Sequence, residues 1–199
     1  MMTLATARML DPLCDRERAM PTRATQLELV RCETDFARSL IAAWHSRLPK
    51  TQRGPWQYAF AACFDGVAYA VALWNNPSAR CLPQHWAELR RMAVADDAPH
   101  CTASRFLAMM ERWFCRNAPH REVLCSYQDE AVHQGTIYRA AGWTPAFRSA
   151  PRQRDRSANR VGTDRAYRSD MNGIGPAASG KVRWEKRVPP GTIARKGDT

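Results

Sequence analysis

The sequence contains no Cys-x-x-Cys pair, no internal repeat and no apolar run of the roughly 20 residues that span a membrane. Its seven cysteines are odd in number and scattered, which excludes a disulfide framework and a zinc knuckle. We therefore expect most of them to be small buried hydrophobic residues in a reducing compartment. Residues 1–20 include Asp11, Asp15 and Glu17 between short apolar stretches, which does not match a secretory signal. These absences predict a soluble, cytoplasmic protein without a membrane partner.

Charge is distributed unevenly along the chain. Its 199 residues, 45% of them hydrophobic, suit one globular domain with a tail. The 30 Lys and Arg against 19 Asp and Glu give a net charge of +11, and 13 of the basic but only five of the acidic residues lie in the range 144–199. Such a tail suits a polyanion such as DNA, RNA or the phosphates of CoA. A solvated, partly disordered tail that only aids solubility is an equally acceptable interpretation.

Hydrophobic periodicity predicts a single α/β domain with a mixed sheet flanked by helices. The clearest signal is a pair of aromatic and β-branched runs joined by Asp65-Gly66, which predicts a β-hairpin. The predicted elements, in order, are a helix at 34–45, strands at 56–64, 67–74 and 87–95, a helix at 104–114, a strand at 123–127, a helix at 132–141, and strands at 143–147 and 181–188.

The strand predicted at 87–95 carries charge inside an apolar pattern. Strict alternation places Glu88, Arg90, Met92 and Val94 on one face and Leu89, Arg91 and Ala93 on the other. An inward Arg91 on a central strand is costly unless paired, which favours a phosphate, carboxylate or ion-pair role. Glu88 is its expected neutraliser and a candidate general base. A simple surface ion pair of Glu88 with Arg90 or Arg91 is the alternative.

The range 126–143 is the most informative part of the sequence. A strand end delivers Tyr127 and Asp129 to the edge of the sheet, and a short helix then presents Tyr138 and stops at Gly142, which suits the left-handed conformation after a last turn. Asp129 could act as a base, bind a metal or cap the following helix. Tyr138 could donate a proton at neutral pH, or it could be an ordinary tyrosine at the edge of the core.

Several aromatic residues lie near the predicted hairpin: Trp56, Tyr58, Trp74 and Trp86. They could stack on a flipped or unpaired base, as base-modifying enzymes require. Core packing is the simpler interpretation for those on the hairpin.

These motifs resemble the second half of an acyl-CoA-dependent N-acetyltransferase (GNAT) domain. The segments Glu88–Val94 and Ser126–Trp143, with the closing Lys181–Lys186, further resemble GNAT-like proteins of phages and prophages related to the Mom DNA-modification protein. The resemblance implies a GNAT-like catalytic domain at 26–147. Around it we place a poorly ordered leader at 1–25, a basic loop or disordered segment at 148–180, and a closing strand with a polar tail at 181–199.

The resemblance also implies a cofactor site at the start of the second helix, where GNAT proteins bind the pyrophosphate of CoA on backbone N–H groups. The expected residues are Thr102, Ala103, Ser104 and Arg105, with Ser104 either a ligand contact or a plain N-terminal cap. The glycines of the family's loop are missing here, which points away from ordinary acetyl-CoA binding. Acetyl-CoA, another acyl donor and iron therefore all stay open as cofactors.

Residue roles follow from the same resemblance. Tyr138 would protonate the departing thiolate, Asp129 and Arg91 match residues of the Mom-type motifs, and His45 falls where those proteins carry a His-Tyr pair. Mom-type proteins are thought to use iron, so His45 and Asp129 are the expected metal pair. A lone histidine is more often structural, and the same applies to His133.

Three functions are consistent with the sequence. The first is an acyltransferase-like enzyme that modifies nucleobases in DNA, as Mom is associated with converting adenine to a bulkier amide-bearing form that hides phage DNA from restriction. The second is a conventional acetyl-CoA-dependent N-acetyltransferase acting on a small amine or a protein. The third is a catalytically silent nucleic-acid-binding protein, in which 148–168 carries the binding.

Overall fold

A computed structural model describes residues 19–45, 56–150 and 180–189. In these residues one seven-stranded sheet of order β1-β2-β3-β4-β5-β7-β6 is flanked by three α-helices, which confirms the predicted α/β class. The strands are β1 (Glu28–Arg31), β2 (Tyr58–Phe64), β3 (Val67–Asn75), β4 (Ala87–Val94), β5 (Val123–Asp129), β6 (Thr144–Ser149) and β7 (Lys181–Arg187). The helices are α1 (Thr34–Trp44), α2 (Thr102–Asn117) and α3 (Thr136–Ala140). Every neighbouring pair is antiparallel except β4 and β5, which run parallel.

The predicted hairpin forms between β2 and β3. Asp65 and Gly66 both have positive φ values, 46° and 75°, as the favoured two-residue hairpin turn requires. The two strands continue this pairing from Phe64 and Val67 as far as Tyr58 and Trp74. The local turn chemistry therefore determines the register here, as the sequence predicts.

The core has two parts, one on each face of the sheet. On one face α1 packs Ala37 and Ile41 against β2, β3 and β4. On the other face α2 covers the sheet with a larger aromatic cluster, in which the indole nitrogen of Trp74 donates to Met110 Sδ at 3.0 Å. We call these the α1 face and the α2 face.

The sequence misplaces some elements. β1 is not predicted, because its four residues show no alternation of buried and exposed positions. α3 begins at residue 136 rather than 132, because Asp129 accepts the backbone N–H groups of Ala131, Val132 and His133 in a turn before the helix. The order β5-β7-β6 places the C-terminal strand inside the sheet, between two strands that precede it in sequence.

β4 does not alternate strictly. Trp74 pairs with Leu89 and Leu73 with Arg91, so Arg90 is the extra residue of a β-bulge. Leu89 therefore packs in the same core cluster as Met92 and Val94, and the predicted grouping of Leu89 with Arg91 and Ala93 is wrong. Arg91 and Ala93 lie on the α1 face.

Six cysteines fall in the described residues, and all are free thiols. Burial raises the pKa of Cys32 and of Cys125 to about 12, which keeps both thiols protonated. Cys81 and Cys101 are exposed, so the expectation of small buried residues holds only in part.

Three of the predicted segments lie wholly or mainly outside the described residues: most of the leader at 1–25, the basic segment at 148–180 and the polar end of the tail. In the part of the chain that the structure describes, every helix is too short or too polar to cross a bilayer.

Candidate functional site

The parallel strands β4 and β5 separate partway along their length. They pair only at Ala87 with Leu124, Glu88 with Cys125 and Leu89 with Ser126. Beyond this point β4 continues beside β3 to Val94, while β5 continues beside β7 to Asp129. Because the bulge at Arg90 falls where the pairing ends, the two strands diverge and leave an opening in the sheet. Groups from both faces can reach one ligand there.

Ser126 and Tyr138 meet where the opening begins. The Ser126 hydroxyl donates to the Leu89 carbonyl at 3.2 Å, and its oxygen lies 2.9 Å from the Tyr138 hydroxyl. A serine hydroxyl has one hydrogen, so with that hydrogen on Leu89 the Tyr138 O–H is the donor to Ser126. The contact thus holds the phenolic proton of Tyr138 at the divergence point.

Tyr138 is confined by aromatic rings. Its ring stacks on Trp184 of β7 with centroids 5.4 Å apart and lies 5.7 Å from Trp143. Burial raises the pKa of the Tyr138 hydroxyl, and the Ser126 contact opposes this only partly. The phenol is therefore a neutral proton donor at physiological pH. The predicted core-edge packing on Trp143 is also present, so packing and chemistry coincide at this residue.

Local hydrogen bonds fix the position of the tyrosine helix. Gly142 has the predicted left-handed conformation, with φ 72°, and the Trp143 N–H donates to the Tyr138 carbonyl at 2.9 Å. On the other side of the ring, the Trp184 indole donates to Gln128 Oε1 at 2.7 Å. Gln128 in turn donates to the His133 carbonyl.

His45 and Arg91 lie on the α1 face, and His133 lies close enough to His45 to affect its titration. His45 ends α1, with its N–H donating to the Ile41 carbonyl at 2.9 Å. Burial lowers the pKa of His45 most, and the nearby Arg91 and His133 lower it further. The His45 imidazole is therefore neutral near pH 7, while the Arg91 guanidinium favours an anionic ligand.

Asp129 is the last residue of β5 and pairs with Lys181 of β7. Its carboxylate accepts the Ala131 N–H at 3.0 Å, which closes a turn before α3. The alternative that Asp129 caps the following helix is wrong, because Gly135 holds that position. Its role as a base or ligand stays a prediction.

Glu88 is buried and already bound. Its carboxylate accepts the Ser78 N–H at 2.6 Å and the Ser78 hydroxyl at 3.0 Å, and it lies 3.6 Å from Arg90 Nε. The predicted pairing with Arg90 is thus present, but buried rather than on the surface. The general-base role remains a prediction for a carboxylate that Ser78 already binds.

At the start of α2, a residue other than glycine adopts the left-handed backbone conformation that usually favours glycine. Cys101, the residue before the helix, is left-handed with φ 67°, and no side chain caps the helix. Thr102 donates its hydroxyl to the Pro99 carbonyl at 2.6 Å and Ser104 donates to Cys101 at 3.1 Å, so Ser104 is not the predicted cap. Arg105 reaches the Thr25 carbonyl. The N–H groups of Ala103 and Ser104 lie in the first turn and have no partner within the helix.

Iron has no support from the geometry. Among the described residues, no three His, Cys, Asp or Glu side chains come together as metal ligands would. The pairing of His45 with Asp129 as metal ligands stays a prediction from the sequence.

The aromatic residues near the hairpin pack mainly in the core. Trp74 is fully buried, so stacking on a nucleobase is excluded for it. Tyr58 packs edge-on against Trp113 and Phe114, and Trp56 packs against the α1-face cluster.

Sequence reasoning missed three residues of the site: Ser126, Gln128 and Trp184. Ser126 and Gln128 stand in the motif that carried the resemblance, but only the contacts show what they do. Trp184 comes from a strand more than 40 residues away, and no spacing in the sequence connects it with Tyr138.

Comparisons with known proteins agree with this geometry. Among solved structures, the chain resembles the ribosomal-protein-S18-alanine N-acetyltransferase from Escherichia coli, with 13% identity over 87% of this chain and 99% of that chain and a TM-score of 0.53. A Bacillus subtilis acetyltransferase in complex with CoA gives 13% identity, coverage of 81% and 98%, and a TM-score of 0.53. These neighbours show that the fold is that of the GNAT acetyltransferases. No curated protein sequence matches the chain. The model of the Mom protein family matches residues 26–173, most of the 199-residue chain, and the chain therefore belongs to the Mom protein family.

Proposed function

We propose that this protein is an acyltransferase-like enzyme that modifies nucleobases in DNA. The observation that carries the proposal is the buried Tyr138 hydroxyl, held 2.9 Å from Ser126 Oγ where β4 and β5 diverge. A proton donor placed at the only parallel pair of the sheet suits the protonation of a leaving group.

Tyr138 holds the proton that a leaving thiolate requires. Once Tyr138 has given up that proton, its phenolate needs a hydrogen-bond donor. Ser126 supplies one by turning its hydroxyl from the Leu89 carbonyl towards Tyr138, a change of rotamer without further movement. Ser126 is thus a positioning residue for Tyr138.

His45 accepts the proton that an acceptor amine loses on attack. Its lowered pKa keeps the imidazole neutral at physiological pH, as a general base must be. Arg91 places a positive charge beside it, which suits the phosphate of a nucleotide acceptor.

The start of α2 fits the pyrophosphate of CoA. The left-handed Cys101 and the absence of a capping side chain leave the N–H groups of Ala103 and Ser104 available to an anion, at the positive end of the helix dipole. When bound there, an acyl-CoA supplies the acyl group and a thiol leaving group. The absence of glycine from this loop is therefore weaker evidence against CoA binding than it is in the sequence alone.

DNA as the acceptor rests on the Mom family relationship and on the net charge of +11. The test is mass spectrometry of nucleosides from the DNA of cells that express wild type, Tyr138→Phe, Ser126→Ala or Asp129→Ala. Tyr58→Phe, which removes a hydroxyl that accepts a hydrogen bond from Arg121 Nε at 3.4 Å, is the matched control. We expect a heavier nucleoside with wild type and control, about 10²–10⁴ times less with Tyr138→Phe, and a smaller reduction with Ser126→Ala.

A second function is supported by the fit of α2 to CoA: a conventional N-acetyltransferase acting on a small amine or a protein. Unmodified DNA together with Tyr138-dependent acetyl transfer from acetyl-CoA to an amine would establish this alternative. DNA binding with neither activity, and identical behaviour of Tyr138→Phe, would instead indicate a silent nucleic-acid-binding protein.

A further inference from the structure

Half of the sheet has one open face. On the α1 face, helix α1 packs on β2, β3 and β4, and within the described ranges no helix packs broadly on β5, β7 and β6. Residues that alternate with the buried Val182 and Trp184 of β7 point to this open face. The open face borders the opening between β4 and β5 at Asp129.

Three side chains form one row across this face. Strand register places Tyr127 of β5 opposite Arg183 of β7, and Arg183 opposite Phe147 of β6. The Arg183 guanidinium lies 5.4 Å from the centre of the Phe147 ring, and it shares a hydrogen bond with Tyr127. Glu185 holds the same guanidinium at 2.7 Å. We call these three residues the Tyr127–Arg183–Phe147 row.

The row combines an exposed ring with a fixed cation. Phe147 is 54% exposed, the most exposed large hydrophobic residue of the described chain, although it lies on a strand at the edge of the sheet. The next row, beside the opening, joins Asp129, Lys181 and Ser149. On the open face β7 presents three basic residues, Lys181, Arg183 and Arg187, and one acidic residue, Glu185.

We propose that the Tyr127–Arg183–Phe147 row is a stacking platform for unpaired nucleotides of a DNA strand whose neighbouring base enters the opening between β4 and β5. The inference rests on the proposed function and names the surface that holds its substrate. An open sheet face with aromatic rings and cations is how proteins bind single strands, because every base offers a flat face and every phosphate a charge. The excess of positive charge on the open face of β7 favours a polyanion over an apolar protein partner.

The test is fluorescence anisotropy with the full-length protein and a labelled 12-nucleotide single strand, beside a duplex of the same sequence. We expect the single strand to bind more tightly, and Phe147→Ala to raise its Kd about tenfold or more. Phe147→Trp keeps a stacking ring and should restore binding. Met20→Ala, which removes another exposed hydrophobic side chain outside the row, should bind as wild type.

Salt titration separates stacking from charge. Phe147→Ala should lower affinity without changing the slope of log K against log salt, whereas Lys181→Gln, which removes a cation from the open face, should reduce the slope by about 0.7. Unchanged single-strand affinity in Phe147→Ala, or an equal loss in Met20→Ala, would overturn the platform. A preference for the duplex would do the same.

The platform and the proposed function can fail separately. Tyr138 lies in the opening and not in the row. The Tyr138→Phe variant should therefore bind the single strand with the affinity of wild type but leave DNA unmodified. If wild type binds through Phe147 but modifies no base, the platform stands and the proposed function fails. If the Phe147→Ala variant binds and modifies DNA as wild type does, the platform fails and the proposed function stands.

Discussion

The two halves of the sheet differ in how they are covered. Strands β2, β3 and β4 pack against α1 on one face and contribute to the α2-face cluster on the other. Within the described residues, β5 and β7 contribute to the α2-face cluster only, and β6 is exposed along most of its length. The difference is on the α1 face, where Leu73 of the first half is 0% exposed and Phe147 of the second half is 54% exposed. The covered half supplies stability, and the open half leaves side chains free to meet a ligand.

The candidate site lies at the boundary between the halves. There β4 and β5 pair over three positions and then separate. His45 and Arg91 reach this boundary from the covered half, and Tyr138 and His133 from the open half. Neither half by itself contains all the residues of the candidate site.

The largest expected effect is a difference in the free energy of unfolding between a substitution in the covered half and one in the open half. Trp74→Ala leaves a cavity between the sheet and α2 and should lower the free energy of unfolding by about 3–5 kcal/mol. Phe147→Ala removes a mainly exposed ring and should change it by less than about 0.5 kcal/mol. Urea unfolding of both variants makes the measurement. Similar losses in the two would show that the open half is covered in solution.

A matched pair of glycines sharpens the comparison. Gly66 and Gly135 have nearly the same φ, 75° and 74°. A Cβ at Gly66 meets nothing within 4 Å, but at Gly135 it would lie 2.5 Å from both Gln128 and Trp184. Gly66→Ala should therefore cost about 1–2 kcal/mol from conformation alone, and Gly135→Ala about 1–3 kcal/mol more from crowding.

The same pair also has a functional readout. Because Trp184 stacks on Tyr138, Gly135→Ala should reduce activity, while Gly66→Ala should leave it unchanged. Thermal unfolding and nucleoside analysis of both variants provide the test. Equal stability losses would contradict the packing of Trp184 against the turn.

The smallest effect is a pH dependence at the boundary. Because the pKa of His45 is lowered in the folded protein, the unfolded chain binds more protons between that pKa and the ordinary value of about 6.5. Stability should therefore fall as the pH drops through this window. His45→Gln removes this contribution, so its unfolding curves at pH 5 and pH 7 should differ less than those of wild type. Identical pH dependence in the two proteins would show that His45 is not shielded by burial.

Local sequence signals predict the elements whose structure is decided locally. The hairpin at Asp65-Gly66, the helix from Thr34 and the left-handed Gly142 are all confirmed, because turn chemistry and helical spacing act over a few residues. The bulge at Arg90 escapes the pattern, since one inserted residue reverses the alternation that the prediction assumes. The start of α3 is also not predicted correctly, because Asp129 accepts hydrogen bonds from the N–H groups that follow it in a turn before the helix.

The sequence by itself determined the fold class, the hairpin and the motif that contains Ser126, Asp129 and Tyr138, because periodicity and spacing are properties of neighbouring residues. Only the tertiary structure decided that β7 lies between β5 and β6, that Trp184 stacks on Tyr138, and that Phe147 and Arg183 share an open face. These contacts join residues that are distant in sequence, and they form only when the whole sheet is assembled around its two-sided core.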